Sequence, residues 1–181
     1  MQVWKSFPNA GPLLIIVAAH SNTAIDLIVK SLLQSVPHQE ILRLVSKAHY
    51  DNLDHSIRPI AIQEVKMIRK KRSSLKIICG TLDMLEQLRK LKGRPLKSSH
   101  MFVDEAGQAT EAAISQIWPK YLKPNGQLIL AGDPHQLGPT VKSKEAIYLG
   151  LHRSLMERFL SDVDLSTMFR LSNLNRPTPS I

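Results

Sequence analysis

"HMFVDEAGQATEAA", His100 to Ala113, runs from a short apolar stretch directly into two adjacent carboxylates, Asp104 and Glu105. Neighbouring negative charges repel, so a chain keeps them together for one of two reasons. Either a strand runs out into a solvated turn, or the pair is set around something positively charged. The choice depends on what the rest of the chain brings to the same place.

Three further apolar runs resemble this one, Leu13–Ala18, Leu75–Cys79 and Gln127–Ala131, each closed by small or polar residues. Their apolar character is continuous rather than alternating, the pattern of strands covered on both faces in a parallel sheet. Between them lie segments with helical spacing. After Ser21 or Asn22, either of which is a good N-cap, Ala24, Ile25, Ile28 and Leu32 recur at three and four, with Asp26 expected in the first turn. Ile60–Lys71, Leu82–Leu91 and Glu145–Leu160 read as three more helices, and Gln39–Ser46 as a short one within the irregular stretch Pro37–Pro59. Strands alternating with helices predict a three-layer α/β domain with a mainly parallel sheet.

A chain of 181 residues with 43% hydrophobic and 22% charged residues is long enough for one domain with an ordinary core. "LLIIVAA", Leu13 to Ala19, is far shorter than the ~20 apolar residues a membrane span needs, so no membrane contact is expected. Neither does it have the flanks of a secretory signal, which points to a cytoplasmic or nuclear setting. Cys79 is the one cysteine, which rules out an intrachain disulfide and multi-cysteine zinc sites. It lies in an apolar run and reads as a buried small residue.

The net charge of +9 is localised. Between Lys66 and Lys97 stand eleven Lys/Arg against Asp83 and Glu86, while the remainder of the chain carries 13 of each sign. Such a cluster, with Lys70, Lys71 and Arg72 at its centre, is either a footprint for phosphate backbones or a solvated face.

The fourth apolar run ends in "QLILAGDPHQLGP", which places Gly132, Asp133 and Gln136 just beyond a strand, as Asp104 and Glu105 stand beyond the third. In open parallel sheets ligands bind beyond the carboxyl ends of the strands. If these two strands are neighbours, both polar groups face one crevice. Transfer of a phosphoryl group to water needs a carboxylate to hold Mg²⁺ on the β and γ phosphates and a second group to activate the water. Asp104 suits the first task and Glu105 the second, as general base. Gln136, both donor and acceptor, suits sensing of the γ-phosphate, and Gly132 allows close backbone approach.

"VDEAGQATE" and "LAGDPHQLGP" resemble motifs II and III of superfamily 1 helicases of the nonsense-decay and Armitage type. "VAAHSNTAIDLIVKSLL" is similar to their motif Ia, and "IICGTLDM" to motif Ic. Four blocks in the family's order cover most of Leu13 to Leu160. The resemblance implies the P-loop NTPase (RecA-like) fold, with residues 1–160 as part of the first motor lobe and 161–181 as a linker or the start of the second. It implies ATP and Mg²⁺ as cofactors, single-stranded RNA (with DNA as the alternative) and proteins of RNA silencing as partners. It also implies that Ser21, Asn22 and Thr81 lie along the nucleic-acid track, where simple helix capping is the competing reading of each. "LSNLNRPTPSI" is faintly similar to the block that opens the second lobe and would make Arg176 a phosphate contact, against an ordinary surface arginine.

This sequence departs from the family at His20, where proline is usual, and its largest departure is an absence. The phosphate-cradling "GxxxxGK[ST]" loop is not present, and no Gly-Lys pair occurs anywhere. "MQVWKSFP" resembles the end of the helix that follows such a loop, so the expectation is a fold incomplete at its N-terminus with half a nucleotide site. Two functions follow: a piece of an ATP-dependent RNA helicase that is inactive alone, or a catalytically dead module that binds RNA or protein through the basic cluster.

Overall fold

Five consecutive residues, Ile15–Ala19, are all buried, as expected of a β-rich run with no polar member to place in water. They form the strand β1 of the computed structural model, which describes residues 13–68, 74–91, 96–133 and 136–162. The other strands among these residues are β2 (Ile41–Leu44), β3 (Ala61–Ile62), β4 (Ile77–Thr81), β5 (Ser98–Asp104) and β6 (Leu122–Leu130). They make one sheet in the order β3-β2-β4-β1-β5-β6, and every pairing is parallel.

The pleat sends alternate side chains to opposite faces. Ile15, Val17 and Ala19 join one apolar cluster with Ile25, Val29 and Leu32 from α1 (Asn22–Leu33). Ile16 and Ala18 join the other, with Leu82, Leu85 and Leu88 from the helical turns after β4 and Ile114 and Ile117 after β5. Helices therefore cover both faces, giving three layers. The chain leaves β1 toward one face and β5 toward the other, and adjacent strands whose connections diverge in this way open a crevice at their carboxyl ends.

The expected strands are present, with two more. Gln39–Ser46, expected as a helix, is a turn of 3₁₀ helix at His38–Glu40 followed by β2. Its sequence ILRL carries a buried arginine that breaks the apolar run and hid the strand. The expected helix Ile60–Lys71 begins instead as β3, where Ala61 and Ile62 pair with Arg43 and Leu44. A single 3₁₀ turn follows at Val65–Met67. Pairing to β2 outweighs the helical spacing there, and residues 69–71 of that expectation lie outside the described residues. Leu82–Leu91 is α-helical over Leu82–Glu86 and 3₁₀ over Gln87–Lys90. Glu145–Leu160 is two helices, Lys144–Tyr148 and Leu155–Asp162. Between them Gly150 has φ +82°, a left-handed conformation that ends the first helix. Asp26 lies beyond the first turn of α1, and its partners are in other elements.

Candidate functional site

β5 and β6 run side by side with Val103 opposite Leu130, and their backbones stay joined beyond the sheet. The Ala131 N–H donates to the Val103 carbonyl at 2.8 Å, and the Ala106 N–H donates to the Ala131 carbonyl at 2.8 Å. Glu105, between those two bonds, has φ +52°. A residue with a Cβ pays roughly 1–2 kcal/mol for that conformation, and such strain persists where the surroundings fix the backbone. The glycines that line the crossing leave little room for a side chain. A Cβ on Gly132 would stand 3.1 Å from the Ala106 nitrogen and 3.2 Å from that of Gly107, and one on Gly107 would stand 3.1 Å from the Asp133 carbonyl oxygen.

The result is a cleft of about 380 Å³ lined by Asp104, Glu105, Gly107, Gln108, Gly132, Asp133 and Gln136. The acidic doublet and the glutamine of the second motif thus face one hollow. Among the described residues no three acidic, histidine or cysteine side chains converge on one point, and Mg²⁺ does not require them: it takes one or two carboxylates, which Asp104 and its neighbours in the lining can supply, and fills its remaining positions with water and phosphate oxygens. Gln108 is a lining residue that sequence reasoning missed, although it stands in the same motif three residues beyond Glu105.

The segment leaving the doublet is clasped from outside. Thr110 caps the helix Glu111–Ser115 by accepting from the Ala113 N–H at 3.2 Å and forms a β-bridge to Ser154. Glu111 receives two hydrogen bonds from Arg158, from Nε and Nη2, each 2.7 Å.

Three other expected site residues, Ser21, Asn22 and Thr81, lie along the same carboxyl edge. Ala19 stands opposite Thr81 on one side and Asp104 on the other, so the ends of β4, β1 and β5 form a row. Ser21 caps α1, accepting from the Ala24 N–H at 3.1 Å, and Thr81 caps Leu82–Glu86, accepting from the Met84 N–H at 3.4 Å. Asn22 accepts at Oδ1 from Arg43 Nη2 at 2.9 Å. Arg43, fully buried, was not singled out from sequence, because only the fold brings β2 against α1. Lys70, Lys71, Arg72 and Arg176 lie outside the described residues. Trp118 packs against the core, and Cys79 is buried. Among the described residues no helix is long and apolar enough to cross a membrane.

The sequence matches the AAA domain family over residues 51–144, which include both acidic motifs. It is 34% identical over 174 residues to "Putative helicase MOV-10" of Gallus gallus, covering 88% of this chain and 18% of that protein. It is 34% identical over 171 residues to "RNA helicase Mov10l1" of Mus musculus, covering 89% of this chain and 13% of that protein. Against "Probable RNA helicase armi" of Drosophila melanogaster the identity is 30% over 191 residues, covering 88% of this chain and 15% of that protein. The chain thus spans between 13% and 18% of the length of these relatives. Among solved structures, a nuclease-deletion mutant of the Type ISP restriction-modification enzyme LlaGI, in complex with a DNA substrate mimic, superposes with a TM-score of 0.56. The match covers 85% of this chain and 17% of that one at 13% identity, a likeness of fold.

Proposed function

Because this chain belongs to the AAA domain family, among the superfamily 1 RNA helicases of the MOV-10 and Armitage type, we propose that it is the carboxylate side of an ATP-hydrolysing motor site. One observation carries this reading: Asp104, Glu105 and Gln136 line a single cleft at the tips of two adjacent parallel strands.

In this reading Asp104 holds Mg²⁺, which when bound neutralises charge on the β and γ phosphates. Glu105 accepts the proton of a water whose oxygen bonds to the γ-phosphorus as the bond to the β–γ bridging oxygen breaks. Gln136 donates to a γ-phosphate oxygen and so reports its loss, while Gly132 and Asp133 bring backbone close to the phosphates. Ser21, Asn22 and Thr81, in a row beside this site, contact the backbone of single-stranded RNA. Lys70, Lys71, Arg72 and Arg176 add sequence-independent attraction to phosphate. RNA silencing in the cytoplasm, with the protein partners of that process, is the setting this reading favours.

The lysine that would complete phosphate binding is not among these residues, since the chain has no Gly-Lys pair. The chain alone therefore binds ATP weakly. The same fact favours a second reading, an RNA- or protein-binding module without catalysis.

Titration of a fluorescent ATP analogue into the chain, with and without Mg²⁺, separates the two. The motor reading expects Mg²⁺-dependent binding that Asp104→Ala abolishes. Binding indifferent to both Mg²⁺ and that substitution leaves the binding module.

A further inference from the structure

Arg43 is a charged side chain with no exposure to solvent. Burying a guanidinium is costly unless its donors are matched, and here they are. Nε donates to Asp26 Oδ1 at 2.8 Å, Nη1 to the Leu44 carbonyl at 2.7 Å and Nη2 to Asn22 Oδ1 at 2.9 Å. Asp26 is held in turn by its other oxygen, 2.8 Å from His49 Nε2. Two of these bonds reach α1 and the third stays in β2, so the guanidinium fixes the start of the helix against the sheet.

The chemistry of this contact determines which way the Asn22 amide faces. A guanidinium only donates, so the amide atom turned toward Arg43 is the oxygen. Nδ2, with its two N–H donors, is turned away from the guanidinium, and among the described residues no acceptor meets it. Asn22 is half-buried and opens α1, three residues after the end of β1, the strand that lies between β4 and β5.

We propose that Arg43 is a positioning residue: it holds the Asn22 carbonyl oxygen from behind so that the amide presents donors alone to a phosphate oxygen of single-stranded RNA. The inference rests on the reading of Asn22 as a backbone contact given under Proposed function. Arg43 itself touches no RNA. The alternative acceptor, a ribose 2′-hydroxyl, can also accept from the amide and belongs to a sugar that DNA lacks.

The test measures binding of labelled oligouridylate and oligodeoxythymidylate to the full chain by fluorescence anisotropy, with circular dichroism as the check on folding. Asn22→Ala is expected to weaken binding of both about tenfold, the loss of one hydrogen bond to a charged acceptor. Arg43→Lys keeps the charge but cannot hold the amide at that distance and angle together with Asp26 and Leu44. It is expected to cost about fivefold alone and less than about twofold in the Asn22→Ala background, because its effect passes through that amide.

If Asn22→Ala leaves binding unchanged, the backbone-contact reading itself fails and the proposal with it. If Arg43→Lys costs as much with Asn22→Ala as without it, positioning is overturned while the contact stands. If RNA binding falls and DNA binding does not, the acceptor is the 2′-hydroxyl and the phosphate assignment is overturned. Should Arg43→Lys not fold, Asn22→Asp decides: it keeps an acceptor for Arg43 and removes the outward donors. The expected loss is at least about tenfold, and wild-type affinity overturns the proposal.

Discussion

Arg158 grips Glu111 through two parallel hydrogen bonds of 2.7 Å, tying the helix Leu155–Asp162 to the helix that follows the acidic doublet. Both side chains remain about two-fifths exposed, so solvent screens the pair and its worth is at the upper end of the surface range, roughly 0.5–1 kcal/mol. Arg158→Ala is expected to lower the melting temperature by about 2 °C. The double substitution with Glu111→Ala should be less destabilising than the sum of the singles, as a thermal-denaturation cycle would show.

Gly132 and Gly150 call for glycine for different reasons, and alanine should separate them. At Gly132 the obstacles are the Ala106 and Gly107 nitrogens, backbone that cannot yield without parting the two strand tips. Gly132→Ala is expected to cost about 1–3 kcal/mol, the usual penalty for overpacking. Gly150 has open space around it and only its φ of +82° to object, so Gly150→Ala should cost about 1 kcal/mol. Urea denaturation of both variants reads the difference.

Glu105 occupies a left-handed backbone position that glycine would adopt freely. Glu105→Gly should therefore stabilise the fold by about 1 kcal/mol, while Glu105→Gln leaves stability within about 0.5 kcal/mol. In the motor reading each removes the base. A denaturation midpoint for Glu105→Gly at or below that of the parent would show that the conformation carries no strain.

Cys79 has no exposure, and burial pushes its thiol up to about 12, with Arg43 pulling weakly the other way. Iodoacetamide at neutral pH should label it only as fast as the fold opens, and fully in urea. The unfolded thiol ionises near its ordinary value of 9.0, while the folded one keeps its proton. Between pH 9 and about 12 the unfolded chain thus binds fewer protons, and stability falls as pH rises. Cys79→Ala should flatten that decline in urea titrations at pH 8 and 10.

Much of this fold is legible in the sequence because β1 and β4 are short runs buried throughout, IIVAA and IICGT, and β5 and β6 each carry a short apolar stretch, MFV and LIL, ahead of polar or small residues, a pattern that fits strands better than helices at this length. The doublet and Gln136 are equally legible, since the rule that ligands gather beyond strand ends applies once the two strands are neighbours. What was hidden depends on contacts between distant parts of the chain. ILRL reads poorly as a strand because of Arg43, and the reason an arginine is tolerated there is a carboxylate 17 positions earlier. Ile60–Lys71 has helical spacing, yet Ala61 and Ile62 are taken up by β2. Gln108 escaped because glutamine has no strong chemical signature until it is seen lining a cleft.

β6 lies at the end of the sheet among the described strands, and its two halves differ in how readily a further strand could pair with them. Lys123 and Pro124, both exposed in the first half, blunt that margin, since a charge and a missing N–H each discourage a newcomer from docking alongside. Gln127 to Leu130 carries no such guard. Backbone pairing at this border is therefore chemically easier along Gln127–Leu130, the stretch that leads into the acidic hollow, than along Lys123 and Pro124.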